Sequence, residues 1–252
     1  MKTTSTLRTL SLISFLLPAA ALTSQASADT LVKWEFPSAS PAPTSFAVGL
    51  EATDAAFGAF GNVASGSSTY GFSTASGGNL FARAHVLGDS ASFAVTNNTY
   101  VEFTLAPDSG KTFDLSTISF QIGAQTISAD QAPYTGHYFV RSSLDGFTQN
   151  LGTDSHTSTG VRNVVSWNPN PTTINLGSEF QGIDHSITFR IYVWVETTTV
   201  NQNQTIRIDD VTISGGLSQI PEPANASLVW GGFAAAFALL GRRGRVRPHR
   251  VV

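Results

Sequence analysis

Between Asp29 and Gln219 apolar and polar residues alternate in short runs, the period of a half-buried strand, and no stretch keeps a helical period over three turns. The two clearest runs come last. From Ser186 to Glu196, Ile187, Phe189, Ile191, Val193 and Val195 alternate with Thr188, Arg190, Tyr192 and Trp194. From Thr205 to Ser214, Ile206, Ile208, Val211 and Ile213 form the apolar set, with a change of phase at Asp209-Asp210. A slip of one residue turns every later side chain to the other face, so the doublet predicts a β-bulge. Earlier strands are predicted at Leu31–Phe36, ended by Pro37, Pro41 and Pro43, and at Ala91–Thr96 and Tyr100–Leu105, joined by the turn pair Asn97-Asn98. Phe113–Leu115 runs into Thr117–Ile122; Tyr138–Ser142 closes on Leu144-Asp145-Gly146; Val161–Trp167 and Thr172–Leu176 flank an Asn-Pro-Asn-Pro break. Residues 37–80 are Gly/Ala/Ser-rich with spaced aromatics and read as loops with one or two short strands, laid over a sheet edge. Eight to ten strands without an internal repeat predict an all-β fold, an antiparallel two-sheet sandwich of jelly-roll type.

The two ends of the chain are of another kind. Lys2 and Arg8, the apolar stretch Leu10–Leu22 and the small residues Ala26-Ser27-Ala28 make a secretory signal peptide over residues 1–28, with Asp29 as the mature N-terminus. After the domain at 29–219, residues 220–252 hold three parts in order. Pro221-Glu222-Pro223 is extended, because neither proline continues a strand or helix. Residues 224–240 are uncharged, about 25 Å long as a helix and at the lower limit for crossing a bilayer. The end carries Arg242, Arg243, Arg245, Arg247 and Arg250, which favours its retention on the cytoplasmic side.

This tail resembles the PEP-CTERM sorting signal of bacterial surface proteins, on Ile220-Pro221-Glu222-Pro223, the Gly/Ala/Leu-rich span and the Gly241-Arg242-Arg243 start of the basic end. The resemblance covers about the last 30 residues. It implies export, transient anchoring through a transmembrane helix, processing near Pro-Glu-Pro by an exosortase-type membrane protease, and release to the cell surface or its polysaccharide matrix. A plain C-terminal membrane anchor would need no Pro-Glu-Pro.

Charge narrows the partners. Residues 29–219 hold seven Lys/Arg against sixteen Asp/Glu, a formal charge of −9, which argues against nucleic acid or an anionic membrane. Cysteine is absent, so neither a disulfide nor thiol chemistry is available to an exported domain, whose stability must come from its core or a bound ion.

Glu35 on the first strand and Asp209-Asp210 on the last resemble the arrangement in jelly-roll carbohydrate-binding modules, where acids at these places help to hold a structural calcium ion. The alternatives are carboxylates exposed on an edge strand, or an Asp209 pair with Arg207 or Arg190. For glycan stacking the candidates are Trp167, Tyr192 and Trp194, with Tyr134 beside them. Tyr192 and Trp194 share the face opposite their strand's Ile/Val row, either open to a pyranose ring or covered by the 37–80 segment. Catalysis has little support: the five histidines lie apart with no metal-ligand spacing, and there is no Gly-x-Ser-x-Gly elbow. Three functions follow in order: a non-catalytic surface or matrix protein associated with extracellular polysaccharide, a calcium-stabilised carbohydrate-binding module, and a glycan hydrolase.

Overall fold

The computed structural model of the chain describes residues 29–60, 69–127, 132–195 and 203–220. The stretch expected to be a signal peptide, with Ala26 and Ala28, and the tail residues Pro221, Glu222, Pro223, Gly241, Arg242 and Arg243 with the helix expected over 224–240, lie outside the described residues. Among the described residues, no helix is long and apolar enough to cross a membrane.

The strands are, in chain order, β1 (Asp29–Trp34), β2 (Ser45–Phe46), β3 (Leu50–Ala52), β4 (Ala56–Phe57), β5 (Tyr70–Ser73), β6 (Asn79–Arg83) and β7 (Tyr100–Pro107). They continue with β8 (Lys111–Thr126), β9 (Thr135–Ser142), β10 (Gly152–Thr157), β11 (Val165–Trp167), β12 (Thr172–Asn175), β13 (Ile187–Val195) and β14 (Gln204–Gln219), and a short α-helix, α1 (Ala91–Thr96), precedes β7. They form two antiparallel sheets. The first runs β11-β8-β14-β1-β2, with β12 also on β8, β6 on β14 and β5 on β6; the second runs β10-β9-β13-β7-β3, with β4 also on β7.

Inner residues of both sheets meet in one core. Ile118, Phe120, Ile122, Ile206, Ile208, Val211 and Ile213 from the first sheet pack with Val101, Phe103, Leu105, Phe189, Ile191 and Val193 from the second. Each such side chain contributes about 1.5–3 kcal/mol relative to an exposed one. Trp34 lies edge-on to Phe103 with ring centroids 5.0 Å apart, and its Nε1–H donates to the Thr53 carbonyl at 3.2 Å.

The bulge falls at the predicted doublet. Asp209 pairs with Gln121 and Thr212 with Ser119, and Asp210 takes φ 52°, so Ile208 before it and Val211 after it both point inward. A second shift, between Ser214 opposite Thr117 and Gly215 opposite Leu115, accounts for the phase change between Leu115 and Ile118. Glycine is required there, because a Cβ on Gly215 would come within 2.4 Å of the Asp114 carbonyl oxygen.

Four regions differ from the sequence reading. Ala91–Thr96 is a helix, not a strand. Ser90 caps it, its Oγ accepting the Phe93 N–H at 3.2 Å, and Asn98 adopts φ 53° beyond its end. A six-residue run fits either period, and the cap decides. Of Val161–Trp167 only β11 is strand. Strand β10 has no apolar row to reveal it. Its inward residues close the sandwich with polar contacts: Thr172 Oγ1 donates to Asp154 Oδ2 at 2.5 Å, and His156 Nε2 is hydrogen-bonded to Ser166 Oγ at 2.9 Å. The 37–80 segment, expected to hold one or two short strands, holds β2 to β5 and the start of β6, and closes sheet edges by extending them. Strand β2 extends the first sheet and β3 and β4 the second, while Phe57, Phe60, Tyr70 and Phe72 interlock between them with centroids 4.3–5.7 Å apart.

Candidate functional site

Alternation on β13 sends Arg190, Tyr192 and Trp194 to the outer face of the second sheet. Tyr192 is 2% exposed. Its ring stacks on Phe139 (4.8 Å, 1°), meets Tyr100 edge-on at 5.1 Å and packs with Ala94 of α1. Tyr192 therefore has no open face for a sugar, and the covering element is α1 rather than the 37–80 segment. Trp194 is half-buried, stacked on His137 at 4.0 Å, beside a groove of about 350 Å³ that also reaches Asn150, Thr153 and Ser155. Below this row Arg190 Nε donates to Glu102 Oε2 at 3.0 Å, and its guanidinium lies 4.2 Å from the Tyr100 centroid and 3.7 Å from that of Phe147. Arg190 is thus no partner for Asp209, which belongs to the other sheet. Tyr134 is buried, its hydroxyl donating to the Thr205 carbonyl, and burial raises its pKa.

The outer face of the first sheet is built differently. Trp167 pairs with Gly123, which pairs in turn with Arg207; Gln121 pairs with Asp209. Gly123 makes room for the indole, since a Cβ there would lie 2.6 Å from Trp167 Cε3. The following turn is pinned by Asn168, whose N–H donates to the Ile122 carbonyl at 2.9 Å while its Oδ1 accepts the Ile122 N–H at 3.1 Å. Trp167, Asn168, Gln121, Asp209, Asp210 and Ser76 line a groove of about 270 Å³. Gln121 Oε1 is buried without a hydrogen-bond partner. Burial pushes the Asp209 carboxyl up to about 7; the neighbouring Asp210 and Glu35 carboxylates add to this, while the Asp210 N–H, donated to Oδ1 at 2.7 Å, and Lys33 oppose it.

The acids expected to hold calcium do converge, but around an ammonium. Lys33 Nζ lies 2.5 Å from Glu35 Oε1 and 2.9 Å from Asp210 Oδ1. Lys33, Glu35 and Asp210 thus make a charge pairing rather than a cage of oxygen ligands, and this set does not suit a divalent cation. Among the described residues no group of three or more His, Asp or Glu side chains is arranged to hold a metal ion. The omitted signal was Lys33 itself, two residues before Glu35, which follows directly after β1.

The structure thus joins two separate expectations, Trp167 as a stacking ring and Asp209-Asp210 as a charged doublet, in one groove. It adds Gln121, Asn168 and Ser76. Of these, Gln121 is readable in retrospect as the polar position between Phe120 and Ile122, while Ser76 follows from no sequence pattern.

No protein-family description and no curated protein matches the chain. Among solved structures it is similar to a cleaved adhesin domain of Lys-gingipain from Porphyromonas gingivalis, at 15% identity and TM-score 0.36, covering 72% of this chain and 95% of that one. A carbohydrate-binding module of Caldicellulosiruptor saccharolyticus in complex with mannohexaose aligns at 14% identity and TM-score 0.34, over 59% of this chain and 86% of that one. A Stig cyclase from Fischerella aligns at 8% identity and TM-score 0.29, over 80% and 93%. At these values the likenesses carry no weight for ligand or activity.

Proposed function

We propose that this chain is an exported, non-catalytic β-sandwich of jelly-roll type that binds extracellular polysaccharide in the Trp167 groove. The observation that carries the reading is the grouping of one indole with two carboxylates and two amides in one groove of the first sheet's outer face. Such a groove suits a pyranose ring: the apolar face of the sugar meets the indole, and its hydroxyls donate to Asp209 and Asp210. The jelly-roll assignment is supported by a chain that crosses between the sheets from β7 to β8, β8 to β9, β10 to β11, β12 to β13 and β13 to β14. Export and sorting rest on the signal-peptide and PEP-CTERM-like patterns at the two ends, with an exosortase-type protease as the processing partner.

A glycan array probed with the purified protein tests the binding. Saturable binding is expected, weakened at least about tenfold, or 1.4 kcal/mol, by Trp167→Ala and unchanged by chelator. A blank array would remove the reading, and chelator-sensitive binding would restore calcium to it. For sorting, surface-extracted protein is expected to have an intact mass lacking Arg242 to Val252; finding those arginines would overturn it.

A further inference from the structure

Asp209 and Asp210 both line the Trp167 groove, but their partners differ. Asp210 Oδ1 lies 2.9 Å from the Lys33 ammonium, which Glu35 also holds. No Lys or Arg among the described residues forms an ion pair with Asp209. Its Oδ1 accepts the Asp210 N–H at 2.7 Å, and its Oδ2 has no hydrogen-bond partner among the described residues. Arg207, the preceding outward residue on β14, is buried and donates to Asn79 Oδ1 and Gln125 Oε1. Three carboxyl groups, those of Glu35, Asp209 and Asp210, thus stand against the single ammonium of Lys33, in a domain whose formal charge is −9. Burial makes ionisation of Asp209 costly, and a cation at Oδ2 would offset that cost, because a positive charge beside a carboxyl favours its ionised form.

The indole and the carboxyls are spaced to meet one sugar. Trp167 on β11 and Asp209 on β14 flank β8, two strand spacings or about 10 Å apart across the sheet. A pyranose that lays its apolar face on the indole directs its equatorial substituents outward from the ring edge, where one of them reaches Asp209. The carboxyls offer acceptors there, while the Asn168 side-chain amide donates to the Asn170 carbonyl and to Thr172 Oγ1.

We propose that the Trp167 groove takes an unacetylated hexosamine residue of a polysaccharide, with the ammonium of the sugar set against Asp209. The proposal rests on the glycan-binding reading above and names the class of glycan. An ammonium brings both charge and donors to a site rich in acceptors, and the chain already uses the same chemistry where Lys33 sits between Glu35 and Asp210. The indole adds attraction for a cation near its face. An acetylated amine is neutral and brings a carbonyl oxygen toward the carboxyls, and a uronic acid sets like charges together. The negative domain as a whole draws in a cationic polysaccharide and repels an anionic one.

Isothermal titration of the purified protein with hexaglucosamine, its fully N-acetylated form and cellohexaose tests this, since the three share one backbone and differ only at C2. The amine form is expected to bind at least about tenfold more tightly than either neutral form, with the difference shrinking as sodium chloride is raised from about 0.05 to 0.5 M. Asp209→Asn is expected to reduce this preference below about threefold without lowering the melting temperature, and Trp167→Ala to weaken all three ligands alike. Equal affinity for the amine and neutral forms, or an unchanged preference in Asp209→Asn, would overturn the proposal. So would hexalysine that binds as tightly as hexaglucosamine and loses as much in Trp167→Ala. Neutral or acidic glycans alone bound on the array through Trp167 would remove only the amino-sugar class. A blank array together with no binding of the three hexamers would remove both readings.

Discussion

The outer faces of the two sheets start from the same alternation and end in opposite states. On the second sheet, Tyr192, Phe139 and Tyr100 stack against one another under α1, and Arg190 has both a carboxylate and two rings as neighbours. On the first sheet no α-helix among the described residues covers the strands. Asp209 is half-buried with its pKa pushed up to about 7, Lys33 bridges two acids, and Arg207 is held by amides alone. One face has satisfied its polar and aromatic groups internally, whereas the other keeps electrostatic cost in place. Perturbed charges beside a groove are where a ligand has most to offer, which is why the first sheet carries the candidate site.

The comparison breaks most sharply under truncation of one ring from each face. Tyr192→Ala is expected to cost about 3–5 kcal/mol in chemical denaturation, the range for a buried aromatic, while sparing glycan binding in the folded fraction. Trp167→Ala is expected to stay within about 1 kcal/mol in stability and to lose binding. The reverse pattern would exchange the roles of the two faces. A smaller effect isolates the cover. Ser90→Ala removes the α1 cap and is expected to cost about 1 kcal/mol, or roughly 2–4 °C in melting temperature, with no change in binding. A loss of binding would tie α1 to the site.

The smallest effect concerns charge. Because the Asp209 pKa is raised in the fold, the folded state holds its proton more tightly than the unfolded chain between about pH 4 and 7. The associated stability is complete below the unfolded pKa and is lost as pH rises through 7. Asp209→Asn, which removes the ionisation, should therefore be more stable than the parent at pH 8. After discounting for solvent screening the gain is on the order of 1 kcal/mol, with the gap closing near pH 4. A gap independent of pH would mean that Asp209 ionises normally.

Much of the fold was legible from local pattern. The Ile/Val rows of β13 and β14 announced two core strands, and the phase change at Asp209-Asp210 announced the bulge, because the pleat fixes which side chains share a face. The short strands β2 to β6 escaped, as did α1 and β10. The apolar run of α1 is too short to distinguish a period of 2 from one of 3.6, and β10 turns Asp154 and His156 toward the other sheet, where sequence patterning expects apolar residues.

The site was legible only as parts. Trp167 and the Asp doublet stood out by residue type, but their sharing a groove follows from β8 lying between β11 and β14, a pairing set by contacts distant in the chain. By itself the sequence determined a mainly β domain of low charge, its strand faces and the bulge, since all of these depend on neighbours a few residues apart. Only the tertiary structure decided that α1 covers Tyr192, that Lys33 fills the space between the acids, and that Arg207 is buried among amides. Those outcomes depend on which strands pair and what packs over them, and alternation is the same whether a face is covered or open.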